Sequence, residues 1–258
     1  MKVPAPVRLL ALPCLAAVFI NCGDTPTPPV VGDGDTIEAA IEAAIADGSN
    51  LVTLAEGTYT IGSPLDFRDR RLNITIRSAG NPGSAVIKAE DCGGCPTMLH
   101  VGSGTITMEN LTFDGSGLER LALAVWVGNR MEPSWGYHIR NNEFRNFNTA
   151  AIASNMGNSE ESSPLNVEGN TFTSVNQAIS IASTYNATIK NNIADSGIRE
   201  DAFLLSYSKN NVISGNQFSS ILITDSEDNR FSDNTGRCRT SGDISKNNDF
   251  GNLVCSPL

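Results

Sequence analysis

Three carboxylates and a guanidinium fall within seven residues of this chain, in Asp195-Ser196-Gly197-Ile198-Arg199-Glu200-Asp201. Oxygen donors at this density suit calcium, which makes Asp195, Glu200 and Asp201 candidate metal ligands. Arg199 could then pair with a substrate carboxylate or abstract a proton, with Lys190 and Lys209 as alternative bases. The competing reading is that charged loops of an acidic, soluble chain are solvated surface.

A second patch combines Trp126 and Trp135 with Arg130, Glu132, Tyr137 and His138. An exposed indole is a platform for a sugar ring, and charged or hydroxylated neighbours can fix the sugar's hydroxyls or carboxylates. Trp126, Arg130, Trp135, Tyr137 and His138 are therefore candidate substrate-binding residues. Against this, Trp126 could simply be covered by the loop that carries Trp135. His138 alone suggests no catalytic triad.

The elements that would have to position these groups are announced by a repeat. A short phrase, apolar residue, two variable residues, Asn, one more residue and usually an apolar one, recurs as Ile139–Phe144, Val167–Phe172, Ile189–Ala194 and Ile213–Phe218. A degraded copy begins at Phe231, and Met108–Phe113 carries Leu111 where the others have Asn. Copies start 18 to 31 residues apart, so a constant phrase is joined by loops of variable length. This is solenoid behaviour, and the implied fold is an all-β, single-stranded right-handed parallel β-helix. Leu111, Asn142, Asn170, Asn192, Asn216 and Asn234 should stack in one column, the amides passing hydrogen bonds along it. Between the phrases lie apolar strands whose alternation points Leu123, Val125, Ile152, Ile179, Ile181, Phe203, Leu205, Ile221 and Ile223 inward. Trp126, Ala153, Ser180, Leu204, Ser206, Leu222 and Thr224 then face outward, a set with no carboxylate or base.

The N-terminus carries Lys2 and Arg8 before an apolar run from Leu9 to Ile20, the pattern of an export signal over residues 1–21. Phe19-Ile20-Asn21-Cys22 stands where a bacterial lipoprotein has its lipidation motif, and the Pro-rich stretch to residue 34 looks like a tether. The expected organisation is a signal peptide (1–21), a linker (22–34) and a β-helix domain (35–258), anchored to a membrane through lipid on Cys22. Phe19 and Asn21 depart from the usual Leu and small residue of that motif. Four cysteines then remain, Cys92, Cys95, Cys238 and Cys255, an even number in an oxidising compartment. Roughly 4.8 Å per coil puts the first two on the order of 24 Å from the last two, so bridges must be local: Cys92 with Cys95, Cys238 with Cys255. A redox or zinc role for the Cys92-Gly93-Gly94-Cys95 spacing lacks both a βαβ setting and completing histidines.

Before the first coil, Asp35 and Glu38 read as a capping box, Ile37, Ile41 and Ile45 share a helical face, and Gly48 ends the helix. Thr36–Ile41, then Leu51–Tyr59 and Ile74–Gly80, resemble the opening of pectate-lyase-like right-handed β-helix proteins of the bacterial lipoprotein type. The likeness covers roughly residues 35–250 and rests on structural motifs. It implies a polysaccharide partner on the outside of one sheet, near Trp126, Ser180 and Leu204, and, for the lyases of the group, calcium with a Lys or Arg base.

The formal charge is −10, and −12 without residues 1–21, which excludes nucleic acid as an expected partner. The same charge repels polyuronates unless cations gather at the site, so neutral glycans are somewhat favoured. The expected protein is an exported, lipid-anchored, monomeric polysaccharide binder. A calcium-dependent polysaccharide lyase and a surface adhesion or scaffold protein are the alternatives.

Overall fold

The computed structural model describes residues 30–31, 36–89, 97–116, 123–128, 136–155, 165–195, 198, 201–242 and 247–258. All named strand pairings are parallel, and each joins a strand to its counterpart one coil along the chain. The coil has three sides. One sheet runs from Leu51–Leu54 through Gly136–Arg140, Leu165–Glu168, Thr188–Lys190 and Val212–Ser214 to Arg230–Ser232. The next holds Gly57–Ile61, Ala85–Ala89 and Leu111–Asp114, continuing into 143–145 and 171–173. The third runs from residues 65–67 and 97–101 through Leu123–Gly128, 150–155, 177–182 and Phe203–Ser206 to Cys255–Pro257. This is the parallel β-helix that the repeat implies.

Alternation along each strand sends one face into the coil, and stacked coils place like on like. On the third sheet Leu99, Val125, Ile152, Ile179, Phe203, Ile221 and Cys238 occupy one inward row, none more than 3% exposed. Phe113, Phe144 and Phe172 stack on the second, with ring centroids 5.0 and 5.2 Å apart. Each fully buried Ile or Phe is worth roughly 1.5–3 kcal/mol relative to exposure. Cys238 and Cys255 are directly opposed in register and joined by a disulfide, their Cα atoms 4.4 Å apart, as local pairing required. Cys92 and Cys95 lie outside the described residues.

The corner between the first two sheets carries the amide column. Asn142, Asn170, Asn192, Asn216 and Asn234 are at most 2% exposed. Each of the first four donates both its backbone N–H and its Nδ2–H to the Oδ1 of the next, at 2.9–3.1 Å. Nδ2 also donates to a carbonyl of the preceding coil, Asn192 to Val167 at 2.9 Å for example. The left-handed backbone sits one residue earlier, at Asn141, Gly169, Asn191, Gly215 and Asp233, rather than at the column residues themselves. A ladder Asn needs its side chain aimed along the stack, so the turn is made by its neighbour. At Gly215 a Cβ would also collide with the Asn191 Oδ1. Leu111 begins the column because its rung needs only a backbone N–H, which donates to Asn142 Oδ1 at 3.0 Å.

A second amide ladder, absent from the sequence reading, runs through Ala187, Asn211, Asn229 and Asn248. Beside it the hydroxyls of Ser208 and Ser226 accept from Thr184 and Ser208 N–H, each at 3.1 Å. The phrases Thr184-Tyr185-Asn186-Ala187, Ser208-Lys209-Asn210-Asn211 and Ser226-Glu227-Asp228-Asn229 spell both.

The helix Ile37–Ala46 packs against the first strands and covers the N-terminal end of the stack. Its cap is Thr36, whose hydroxyl accepts from Ala39 N–H at 3.1 Å, not Asp35, which lies outside the described residues. Thr36 has the extended conformation of a cap, which moves the helix one residue along. Ile37, Ile41 and Ala44 are buried, whereas Ile45 is 38% exposed because the contact face follows a spacing of four then three.

Asn192→Ala should lower unfolding stability by about 1–3 kcal/mol in urea titrations, since it removes the acceptor of Asn170 N–H and Nδ2–H and the side-chain donor to Val167 O in the interior, while the backbone N–H of residue 192 still serves Asn216 Oδ1. An unchanged midpoint would refute an energetic role for the ladder.

Candidate functional site

Because the register is fixed, the outward residues of the third sheet also form rows. One runs Asp66, His100, Trp126, Ala153, Ser180, Leu204, Leu222, Arg239 and Ser256. Of the expected outward set, Ser180, Leu204, Ser206, Leu222 and Thr224 are half-buried on this face while Ala153 is covered, and the row's ends add Asp66, His100 and Arg239, so the face does carry charge. Trp126 is described by backbone and register alone.

Two residues earlier on each strand lies a parallel row: Met98, Ala151, Ala178, Ala202, Ser220, Arg237 and Val254. It is covered from Met98 to Ala202, at most 2% exposed, and still nearly covered at Ser220. Beyond that it opens, with Arg237 exposed and Val254 at 92%. A cleft of about 730 Å³ lies where the cover ends. Leu204, Leu222, Arg239 and Ser256 form its floor, Ser219, Ser220, Arg237 and Val254 one side, and Gln177, Ile198 and Asp201 contribute to the rest.

Asp201 is the member of the acidic loop that reaches the cleft. Its Oδ1 accepts from Arg239 Nη2 at 2.6 Å, and its backbone carbonyl accepts from Gln177 Nε2 at 3.1 Å. The Asp201 side chain is 14% exposed, that of Arg239 44%. The carboxylate is thereby tied across the strand of Leu222 to the strand beyond. Asp195 lies instead at the end of the second-sheet strand Ile193–Ala194, where its Oδ2 accepts from Ser174 N–H at 3.2 Å. Arg199 and Glu200 lie outside the described residues. Among the described residues no three His, Cys, Asp or Glu side chains cluster to hold a metal.

The alternative bases are engaged elsewhere. Lys190 Nζ is 3.3 Å from Glu168 and ends an outward row of alternating charge, Arg77, Glu109, Arg140, Glu168, Lys190. Lys209 Nζ lies 3.1 Å from Glu227 and 3.5 Å from Asp228. The hydrogen bond and charge of Glu227, with help from Asp228, push the Lys209 ammonium above its ordinary pKa, the wrong direction for a proton acceptor. Neither lysine lines the cleft.

The aromatic patch separates. Tyr137 is fully buried, its ring on the inward face of the first sheet, and cannot meet a ligand. His138 faces out from that same sheet, while Trp126 belongs to the third. Arg130 and Trp135 lie outside the described residues. His138 Nδ1 sits 3.1 Å from Asn166 Nδ2, and burial, then the charge of Arg140, hold its pKa below the usual histidine value. The residues that sequence reasoning missed are Arg237, Arg239 and Gln177. Extending the alternation from Ile221 and Ile223 into the next coil, through Cys238 and Thr240, would have turned both arginines outward.

No family model matches the sequence, and no curated protein matches it. Solved structures do. The A-module of mannuronan C-5 epimerase AlgE6 from Azotobacter vinelandii superposes with a TM-score of 0.55 at 15% identity, over 89% of this chain and 85% of that one. The A-module of mannuronan C-5 epimerase AlgE4 from the same organism gives 0.54 at 14%, over 89% and 87%. At such identity the likeness is one of fold.

The depressed pKa of His138 has a signed consequence. A group whose folded pKa lies below its unfolded value stabilises the fold above the unfolded pKa and loses that contribution as pH falls. Between about pH 7.5 and 5 the urea midpoint should fall more in the native chain than in His138→Gln. Parallel profiles would show that His138 is not held neutral.

Proposed function

We propose that this protein binds polysaccharide in the cleft over Leu204 and Leu222, outside the cytoplasm. The observation that carries the reading is the cleft itself. Two leucines give a floor on which the apolar face of a sugar can rest. Hydroxyl, amide and guanidinium groups from Ser220, Ser256, Gln177 and the arginines surround it. The structural neighbours act on a polysaccharide, by their names, which agrees with this reading without assigning a reaction.

Binding is favoured over cleavage because Lys190 and Lys209 are ion-paired away from the cleft and Asp201 is taken by Arg239. Asp195 and Asp201 have separate partners, which also disfavours a shared calcium. Export, supported by Lys2, Arg8 and the apolar run, and lipid attachment at Cys22 complete the proposal: a binder held at a membrane by its N-terminus. The disulfide fits an oxidising compartment.

Co-sedimentation with a panel of polysaccharides, run alongside assays for reducing ends and unsaturated uronide, should show retention without product. Leu222→Gln should weaken retention at least about tenfold, or 1.4 kcal/mol, without changing the melting temperature by more than a few degrees. Chelation should leave retention unchanged. New product would make the protein an enzyme, and binding abolished by chelator would restore the calcium reading.

A further inference from the structure

We propose that the cleft selects a sparsely charged glycan, neutral sugars bearing an isolated acidic group that Arg237 holds, and discriminates against polyuronates. This rests on the cleft being the polysaccharide site. Its lining carries two cations and one anion, Arg237, Arg239 and Asp201. Arg239 already has its carboxylate, Asp201, at 2.6 Å. Arg237 is exposed and has no ion-pair partner among the described residues. One uncompensated guanidinium therefore remains, and it fits one carboxylate or sulfate of the ligand.

Apart from the Asp201–Arg239 pair, the described residues that line the cleft around that guanidinium are neutral. Leu204, Leu222, Val254, Ser220 and Ser256 offer apolar surface and hydroxyls, suited to uncharged sugars on either side of the acid. Continuing along the outward row, a chain leaving the cleft passes Ser180 and Ala153, and beyond the positions of Trp126 and His100 the row ends at Asp66. Rungs stand about 4.8 Å apart, so neighbouring residues lie within the roughly 8 Å screening length of the surface charge. That surface belongs to a protein of formal charge −10. Among the described residues a second carboxylate on the glycan finds no unpaired arginine in the cleft and is repelled, while the first is paired. Asp201 enforces the limit: by occupying Arg239 it removes the second cation that a uniformly charged polymer would need.

Isothermal titration with three oligosaccharides of equal length separates the possibilities: a neutral xylo-oligosaccharide, the same chain bearing one glucuronosyl branch, and an oligogalacturonate. The singly branched chain should bind the native protein at least about tenfold more tightly than either other. Arg237→Gln, a change at an exposed position, should erase its advantage over the neutral chain. Asp201→Asn, checked for folding by its melting curve, should raise affinity for the oligogalacturonate by freeing Arg239. Tighter binding of oligogalacturonate to the native protein would overturn the charge rule alone. So would an advantage of the branched chain that survives Arg237→Gln, or no advantage at all. Failure of all three to bind would sink the polysaccharide reading and this one with it.

Discussion

A buried amide that lacks a partner costs about 1–3 kcal/mol, and this solenoid turns that penalty into a ruler. Each asparagine from Asn142 to Asn234 is buried, and its side chain is served by equivalent residues of the neighbouring coils and by a carbonyl of the preceding coil. A slip of one residue along any strand would strand several donors and acceptors at once and turn its inward side chains to solvent. Hydrophobic stacking alone would tolerate some sliding, because Ile on Ile and Phe on Leu differ little. The amides do not. Two ladders at separate corners, one through Asn192 and one through Asn211, pin the coil at two points and so fix which residues face out on every side.

That rigidity explains why the architecture was readable and the site was not. The column from Leu111 to Asn234, the inward row from Val125 to Ile223 and the Cys238–Cys255 bridge all follow from local rules repeated at every coil. The second ladder was missed because its phrase mixes Thr, Ser, Ala and Asn, yet the same spacing is present in the sequence. Tyr137, a phenol beside a histidine, invites a functional reading, but strand parity places it inward in register with Ile106 and Leu165, fully buried. Arg239 was missed where the repeat degrades after Phe231. The cleft depends on something no repeat contains, namely where the covered row of Met98, Ala151, Ala178 and Ala202 gives way to Ser220 and Arg237.

Charge in such a fold has two fates. Outward rows bring residues from adjacent coils side by side, so opposite charges one coil apart become cross-strand pairs, as in the run from Arg77 to Lys190. Such exposed pairs are worth at most about 1 kcal/mol each and do no chemistry. Density of charge in the sequence therefore says little about function here. The informative charges are those the row geometry leaves over. The acidic loop illustrates it: its concentration of carboxylates drew attention, but Asp195 settles on a backbone N–H and Asp201 on Arg239, on different sheets.

The ion pair between Asp201 and Arg239 is better understood as part of the cleft's construction than as decoration. It joins a residue just before the strand Phe203–Ser206 to a strand two rungs further on, bridging the Leu222 strand between them. With Asp201 only 14% exposed, its screening by water is reduced, and its charge is spent locally on one guanidinium. A solenoid can alter such a site without disturbing its ladders, since outward residues share no hydrogen bonds with the corner amides. Ligand preference can then change rung by rung while the fold stays constant. A parallel β-helix can in this way keep its architecture at 15% identity.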